Sequence, residues 1–284
     1  MTELSCEGQW VVVTGANTGI GEVAAREIAR KGALVTLACR SEARAAAAID
    51  RIVQDNPAAN VEFLHLDLSD LSQVRSATVE LLARRDAPID VLVNNAGVAG
   101  RRGVTKDGFE IQFGVNHLGH FVWTMALIDR LRCARSPRVV NVASRAHTRT
   151  AGIIWEHLQR PTRSVSGWPE YCVSKLCNVL FSRELARRYD DIDVYSLHPG
   201  VVATDIWRGV PAPVRWVLKR FMLSNEQGAE TTLHCATSPE AQGQSGLYWD
   251  KAAPKQPHPY GSDDKLAATL WAQSEQWSGI DATS

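Results

Sequence analysis

The segment Thr14-Gly15-Ala16-Asn17-Thr18-Gly19-Ile20-Gly21 follows four consecutive apolar residues, Trp10 to Val13, and leads into a helical pattern near 19–31. Glycines in a strand-to-helix turn let the chain reverse tightly and let phosphates approach the backbone closely. The free N–H groups and the positive end of the helix dipole at the same place suit a diphosphate. Such a turn also arises as bare turn chemistry, so its weight comes from the strand before it and the helix after it. An unbroken apolar run like 10–13 fits a strand buried on both faces, which is the habit of parallel sheets covered by helices.

The rest of the chain repeats that pattern. Strand-like runs fall at 10–13, 33–39, 61–66, 89–94, 138–143, 193–198 and 246–249, separated by helical stretches near 19–31, 41–55, 70–85, 107–133, 168–189 and 225–237. Strands alternating with helices predict an α/β fold, a doubly wound parallel sheet of about seven strands with helices on both faces. The 284 residues suit a single large domain, 1–284, and no repeat or linker divides them. Residues 254–284 read as an irregular tail with Pro254, Pro257 and Pro259, closed by a helix near 262–277.

Composition removes several classes of function. Lysine plus arginine balance aspartate plus glutamate at 31 each, which speaks against a nucleic-acid surface. No stretch reaches the roughly 18 apolar residues of a membrane span. Residues 1–8 are polar and carry Glu3 and Glu7, without the basic and apolar regions of a signal peptide. The six cysteines (Cys6, Cys39, Cys133, Cys172, Cys177 and Cys235) lack paired spacing and no Cys/His cluster has ligand spacing, so reduced buried thiols and no metal are expected. These features predict a soluble, cytoplasmic protein.

The second chemical signal is Tyr171-Cys172-Val173-Ser174-Lys175. Four residues apart on a helix, Tyr171 and Lys175 share one face. A free phenol has a pKa near 10, too high for a base at neutral pH; a neighbouring ammonium would lower it. Ser144, at the end of the fifth strand, can hydrogen-bond a substrate oxygen and hold it toward that phenol. A Tyr-x-x-x-Lys pair alone is also common as incidental surface or core spacing. Its order and separation from the glycine loop point to hydride chemistry on a carbonyl/alcohol pair. At the end of the second strand stands Cys39-Arg40, with no carboxylate for a ribose hydroxyl. Arg40 can pair with a 2′-phosphate, which favours NADP(H) over NAD(H), or it is simply a solvated strand-end arginine. Asp67 reads equally as an adenine contact or a loop aspartate.

These residues resemble the short-chain dehydrogenase/reductase family, a single-domain Rossmann-type fold, over nearly the whole chain. Thr14–Gly21 is similar to its cofactor motif, and Asn94-Asn95-Ala96-Gly97 to its motif after the fourth strand. The resemblance implies cofactor contacts from Gly15, Asn17, Thr18, Gly19, Ile20, Gly21, Arg40, Asp67, Leu68, Asn94, Ala96, Gly97, Tyr171, Lys175, Pro199, Gly200 and Thr204. It implies a catalytic tetrad of Asn116, Ser144, Tyr171 and Lys175. Tyr171 would exchange the proton, Lys175 would lower its pKa and hold the ribose, Ser144 would position the substrate oxygen, and Asn116 would hold a relaying water. The phrases Gly114-Val115-Asn116-His117-Leu118-Gly119-His120-Phe121 and Leu197-His198-Pro199-Gly200 resemble retinol dehydrogenase-like members. Relatives commonly pair through the helices equivalent to 107–133 and 168–189, which implies a homodimer or homotetramer.

On the substrate side, 205–224 reads as a lid. Val214, Val217, Leu218, Phe221 and Met222 form one helical stripe, with Arg215, Lys219 and Arg220 off it. It either packs on its own domain or covers an apolar pocket, with Trp216 toward a membrane surface. Trp155 and Trp168 flank a polar segment where substrate contacts could arise, and nine tryptophans favour a lipophilic, ring-containing substrate. His147 receives no role. The expected activity is hydride transfer between NADP(H) and a hydrophobic carbonyl or alcohol. The alternatives are reduction of a conjugated C=C bond and non-catalytic dinucleotide sensing.

Overall fold

The apolar runs become strands because each sends alternate side chains into two different cores. Residues 5–200 and 223–280 are described by the computed structural model. Its strands β1 (Trp10–Thr14), β2 (Leu34–Cys39), β3 (Asn60–His65), β4 (Val91–Asn94), β5 (Arg138–Val142), β6 (Asp193–His198) and β7 (Tyr248–Asp250) pair in parallel in the order β3-β2-β1-β4-β5-β6-β7. Val11 and Val13 enter one core with Ile28 of α1 (Gly19–Arg30), Ile52 of α2 (Glu42–Asp55) and Cys235 of α7 (Asn225–Thr237). Trp10 and Val12 enter the other with Val74 of α3 (Leu71–Arg84) and Phe121 and Leu180 of two long helices. Those two are α4, built of Ile111–Phe113, a π-helical stretch Gly114–Leu118 and an α-helical body Gly119–Arg132, and α6 (Trp168–Arg188).

The sheet has eight strands where about seven were expected. β8 (Ala253–Lys255) runs antiparallel on β7 after a turn at Lys251 and Ala252, both at positive φ. Its three residues are exposed and carry no apolar signal, and Pro254 is tolerated there because an edge strand can spare an N–H. A second short element, α5 (Trp155–Leu158), occupies ground read as loop.

The C-terminal helix α8 (Asp264–Ser278) lies across α4 and α6. Trp271 stacks on Phe181 and meets Phe121 edge-on, Ser274 hydrogen-bonds His117 at 2.9 Å, and Trp277 packs against Phe109, Phe113 and Trp155. The chain's own C-terminal helix thus covers part of α4 and of α6. Among the described residues, no helix is long and apolar enough to cross a membrane.

The strand order reverses beside β1, which lies between β2 and β4. Open α/β sheets bind ligands in the crevice that this reversal opens at the carboxyl ends of the strands. Gly15 to Gly21, Arg40, Gly97, Ser144 and Pro199-Gly200 follow strand ends at that edge.

Candidate active site

Gly15 leaves β1 with φ of 67°, and a Cβ there would lie 2.8 Å from the Cα of Ala96. A Cβ on Gly21 would strike the Asn95 side chain and come within 2.6 Å of the Gly15 carbonyl. Only glycine permits this loop to pass so close to the segment after β4. Thr18 precedes α1 but its side chain makes no capping hydrogen bond, so the first N–H groups of that helix remain available. Asn17, Thr18, Gly19 and Ile20 are all at least partly exposed along the crevice. This geometry fits a dinucleotide's diphosphate.

The loop's floor is fastened from two sides. Thr14 Oγ1 accepts the backbone N–H groups of Asn95 (3.0 Å) and Ala96 (2.9 Å), and Asn95 Nδ2 donates to the Thr14 carbonyl at 2.9 Å. The Cys39 thiol lies against the backbone N–H groups of Gly15, Ala16 and Asn17, and burial pushes it up to about 12, which keeps it protonated. Arg40 is exposed and has no hydrogen-bond or ion-pair partner among the described residues. Asp67 Oδ1 accepts from the N–H and hydroxyl of Ser69, closing its own turn. Leu68 is buried in the core below, and the Asn94 side chain points inward to Thr124 (2.9 Å) and Asn141 (2.8 Å). Asn95, which sequence reading passed over, does the fastening. Its backbone neighbours in that motif were the visible signal. Pro199 and Gly200 follow β6 at the same edge, while Thr204 and 205–222 lie outside the described residues.

Asn116 and Lys175 meet beside Gly97, Lys175 Nζ lies 5.8 Å from the Tyr171 ring centre, and Tyr171 faces Ser144. A Cβ on Gly97 would sit 3.3 Å from Asn116 Oδ1 and 3.6 Å from Lys175 Nζ. Lys175 is 3% exposed and donates to the Val142 carbonyl at 2.8 Å. Burial drives its pKa down to about 7. Tyr171, one helical turn earlier, faces the Ser144 side chain. Burial pushes this phenol up to about 12, and the Ser144 side chain works against that. Without a cofactor, then, burial outweighs the lowering expected from the ammonium. Asn116 sits in the π-helical stretch of α4: Oδ1 accepts from Val98 N (2.8 Å), and Nδ2 donates to the Val98 carbonyl (3.0 Å) and Ser174 Oγ (2.9 Å). Its side chain is fully engaged by these bonds.

His147 is a strut: Nδ1 hydrogen-bonds the Ser144 carbonyl at 2.6 Å and Nε2 accepts from His258 N at 3.1 Å. Trp168 packs on Tyr171 with ring centres 5.5 Å apart, but Trp155 turns away to Trp277. Trp10, Trp123, Trp249 and Trp271 are core residues, so the tryptophan count says little about substrate. A cavity of about 340 Å³ lined by Glu110, Ile154, Leu158, Pro169 and Val173 opens behind the first turn of α6, and none of the four catalytic candidates lines it.

The profile of the short chain dehydrogenase family matches residues 9–157. Retinol dehydrogenase 13 of Homo sapiens is 38% identical over 98% of this chain and 86% of its own length. The chain belongs to the short-chain dehydrogenase/reductase family. It is therefore an NAD(P)-dependent oxidoreductase of alcohol and carbonyl groups. Retinol dehydrogenase 12 of Homo sapiens is 40% identical, covering 98% of this chain and 89% of that one. The crystal structure of an uncharacterized protein from Mycobacterium Paratuberculosis aligns with a TM-score of 0.80 at 33% identity, over 99% of this chain and 98% of that one. The six cysteines of this dehydrogenase are free, five of them buried, and no group of side chains among the described residues could hold a metal.

The buried lysine of the dehydrogenase makes ligand-free stability depend on pH. Its folded pKa of about 7 lies below the ordinary 10.5, so between these values the unfolded chain binds a proton that the folded chain does not. Stability from this group therefore rises with pH across that window. From pH 7 to pH 9, wild type is expected to gain roughly 2 kcal/mol relative to Lys175→Met. Urea midpoints of both proteins at the two pH values measure this, and a constant difference between them would refute the depressed lysine.

Proposed function

We propose that this dehydrogenase uses NADP(H) and acts on a hydrophobic carbonyl or alcohol, with Tyr171 as the general acid/base. The observation that carries the cofactor preference is Arg40, exposed at the end of β2, without a partner among the described residues and with no carboxylate beside it. A guanidinium there matches a 2′-phosphate with charge-assisted hydrogen bonds. Gly15 to Gly21 with the start of α1 would take the diphosphate, and Gly97, Lys175 and the Pro199-Gly200 turn would border the nicotinamide riboside. The nicotinamide supplies or accepts the hydride.

The chain's own residues handle the proton. Ser144 holds the substrate oxygen near the Tyr171 hydroxyl, and in reduction Tyr171 gives that oxygen its proton. Lys175 would hold a ribose hydroxyl of the cofactor and be the source of the proton that replaces the one Tyr171 gives up, with Asn116 holding the relaying water. Trp168 against Tyr171 and the retinol dehydrogenases among the relatives support an apolar substrate.

Arg40→Asp is expected to weaken NADPH binding by about 1–3 kcal/mol and to leave NADH binding unharmed. Calorimetric titration of both cofactors checks this; undiminished NADPH affinity would overturn the preference. Turnover with a panel of apolar aldehydes, ketones and enones then tests the substrate class.

A further inference from the structure

His120 is 2% exposed, lies on α4 one turn after Asn116, and belongs to none of the roles assigned so far. Its Nδ1 is 3.0 Å from the Asn116 carbonyl oxygen and its Nε2 is 2.9 Å from Thr14 Oγ1. The chemistry of these atoms fixes every proton. A carbonyl only accepts, so Nδ1 carries the hydrogen. The ring is neutral, because burial and the nearby Lys175 hold its pKa down at about 4, so Nε2 is an acceptor. Thr14 Oγ1 already accepts the N–H groups of Asn95 and Ala96, and its own proton goes to Nε2, the Val93 carbonyl being farther away at 3.4 Å.

The bonds continue in both directions. Thr14 is the last residue of β1 and the start of the glycine loop. Asn116 passes through its amide to Ser174 Oγ, which donates to the Tyr171 carbonyl at 2.8 Å. One buried imidazole therefore stands between the loop shaped for a diphosphate and the helix that carries Tyr171 and Lys175.

We propose that His120 is a positioning residue: it ties the Asn116 carbonyl to Thr14, so that the seating of the dinucleotide and the alignment of the proton-transfer residues are set together. This rests on the reading of the crevice as an NADP(H) site. A neutral imidazole does this because it presents one donor and one acceptor at fixed positions, and a glutamine amide can present the same pair.

The test is a three-variant series, with melting temperature, NADPH affinity by calorimetry, and kcat and KM read separately. His120→Leu is expected to lower kcat and weaken NADPH binding by about tenfold each, with little change in KM for the carbonyl substrate. His120→Gln should recover both to within about threefold. Thr14→Val should weaken NADPH binding by a similar factor, and the Thr14→Val/His120→Leu double variant should bind no more weakly than the worse single variant. Wild-type kcat and NADPH affinity in a folded His120→Leu protein would overturn the proposal, as would a folded His120→Gln that recovers neither. Fully additive losses in the double variant would overturn it too. The calorimetric arm does not depend on turnover. If wild type binds NADPH but reduces no substrate, the coupling is still decided while the functional reading fails separately.

Discussion

Replacing Tyr171 with phenylalanine is expected to cut turnover by about 10²–10⁴-fold while leaving NADPH affinity within a factor of two or so of wild type. The ring is 8% exposed and packed against Trp168, and phenylalanine keeps that packing. What disappears is the hydroxyl that faces Ser144. In the reduction direction a phenol held up at about 12 keeps its proton at neutral pH, as a general acid must. In the oxidation direction the same burial opposes the phenolate, and the charge of the bound oxidised nicotinamide has to act against it. The variant should therefore lose both directions together. A fully active Tyr171→Phe enzyme would remove Tyr171 from the chemistry. A variant that binds no NADPH would mean that the phenol builds the site rather than working in it.

What the sequence displayed of this site was its local geometry. Gly15 to Gly21 had to be a strand-to-helix turn, and Tyr171 and Lys175 had to share a helical face, because both facts depend only on residues near in the chain. The meeting of Asn116 and Lys175 at Gly97, and of Tyr171 with Ser144, depends on how β4, β5, α4 and α6 meet, and only a family resemblance could supply it. Neighbouring asparagines show the limit: the Asn94 to Gly97 motif was visible, but strand alternation turns the Asn94 side chain into the core and gives Asn95 the contacts to Thr14. The π-helical stretch at Gly114–Leu118 left no mark, since its apolar residues continue an ordinary helical period. β8 was silent for the opposite reason: three exposed residues held by a neighbour's edge bury nothing that a pattern could reveal. His120 appeared only as one letter of a recurring phrase, and its meaning lies in two partners 4 and 106 positions away.

Replacing Trp271 with alanine is expected to cost about 3–5 kcal/mol of stability, the range for a large buried aromatic. The side chain is 1% exposed, with Phe121 at 5.1 Å edge-on, Phe181 at 5.9 Å in a stack, and the Arg188 guanidinium 4.6 Å above its ring. Its indole N–H donates to Glu275 at 2.7 Å, so truncation also strands a half-buried acceptor. For a chain of this size the loss corresponds to a fall in melting temperature of roughly 6–20 °C. Because α8 covers the outward faces of α4 and α6, loosening it bares Phe121 and Phe181, and the variant should associate as concentration rises, in sedimentation or light scattering. Lys175 points instead to β5, where it donates to the Val142 carbonyl, and among the described residues no ring contact joins Tyr171 to Trp271, so the folded fraction at low temperature should keep its NADPH affinity. A loss below about 1 kcal/mol would show that α8 is a separable flap rather than part of the core, and a second copy could then take its place on α4 and α6.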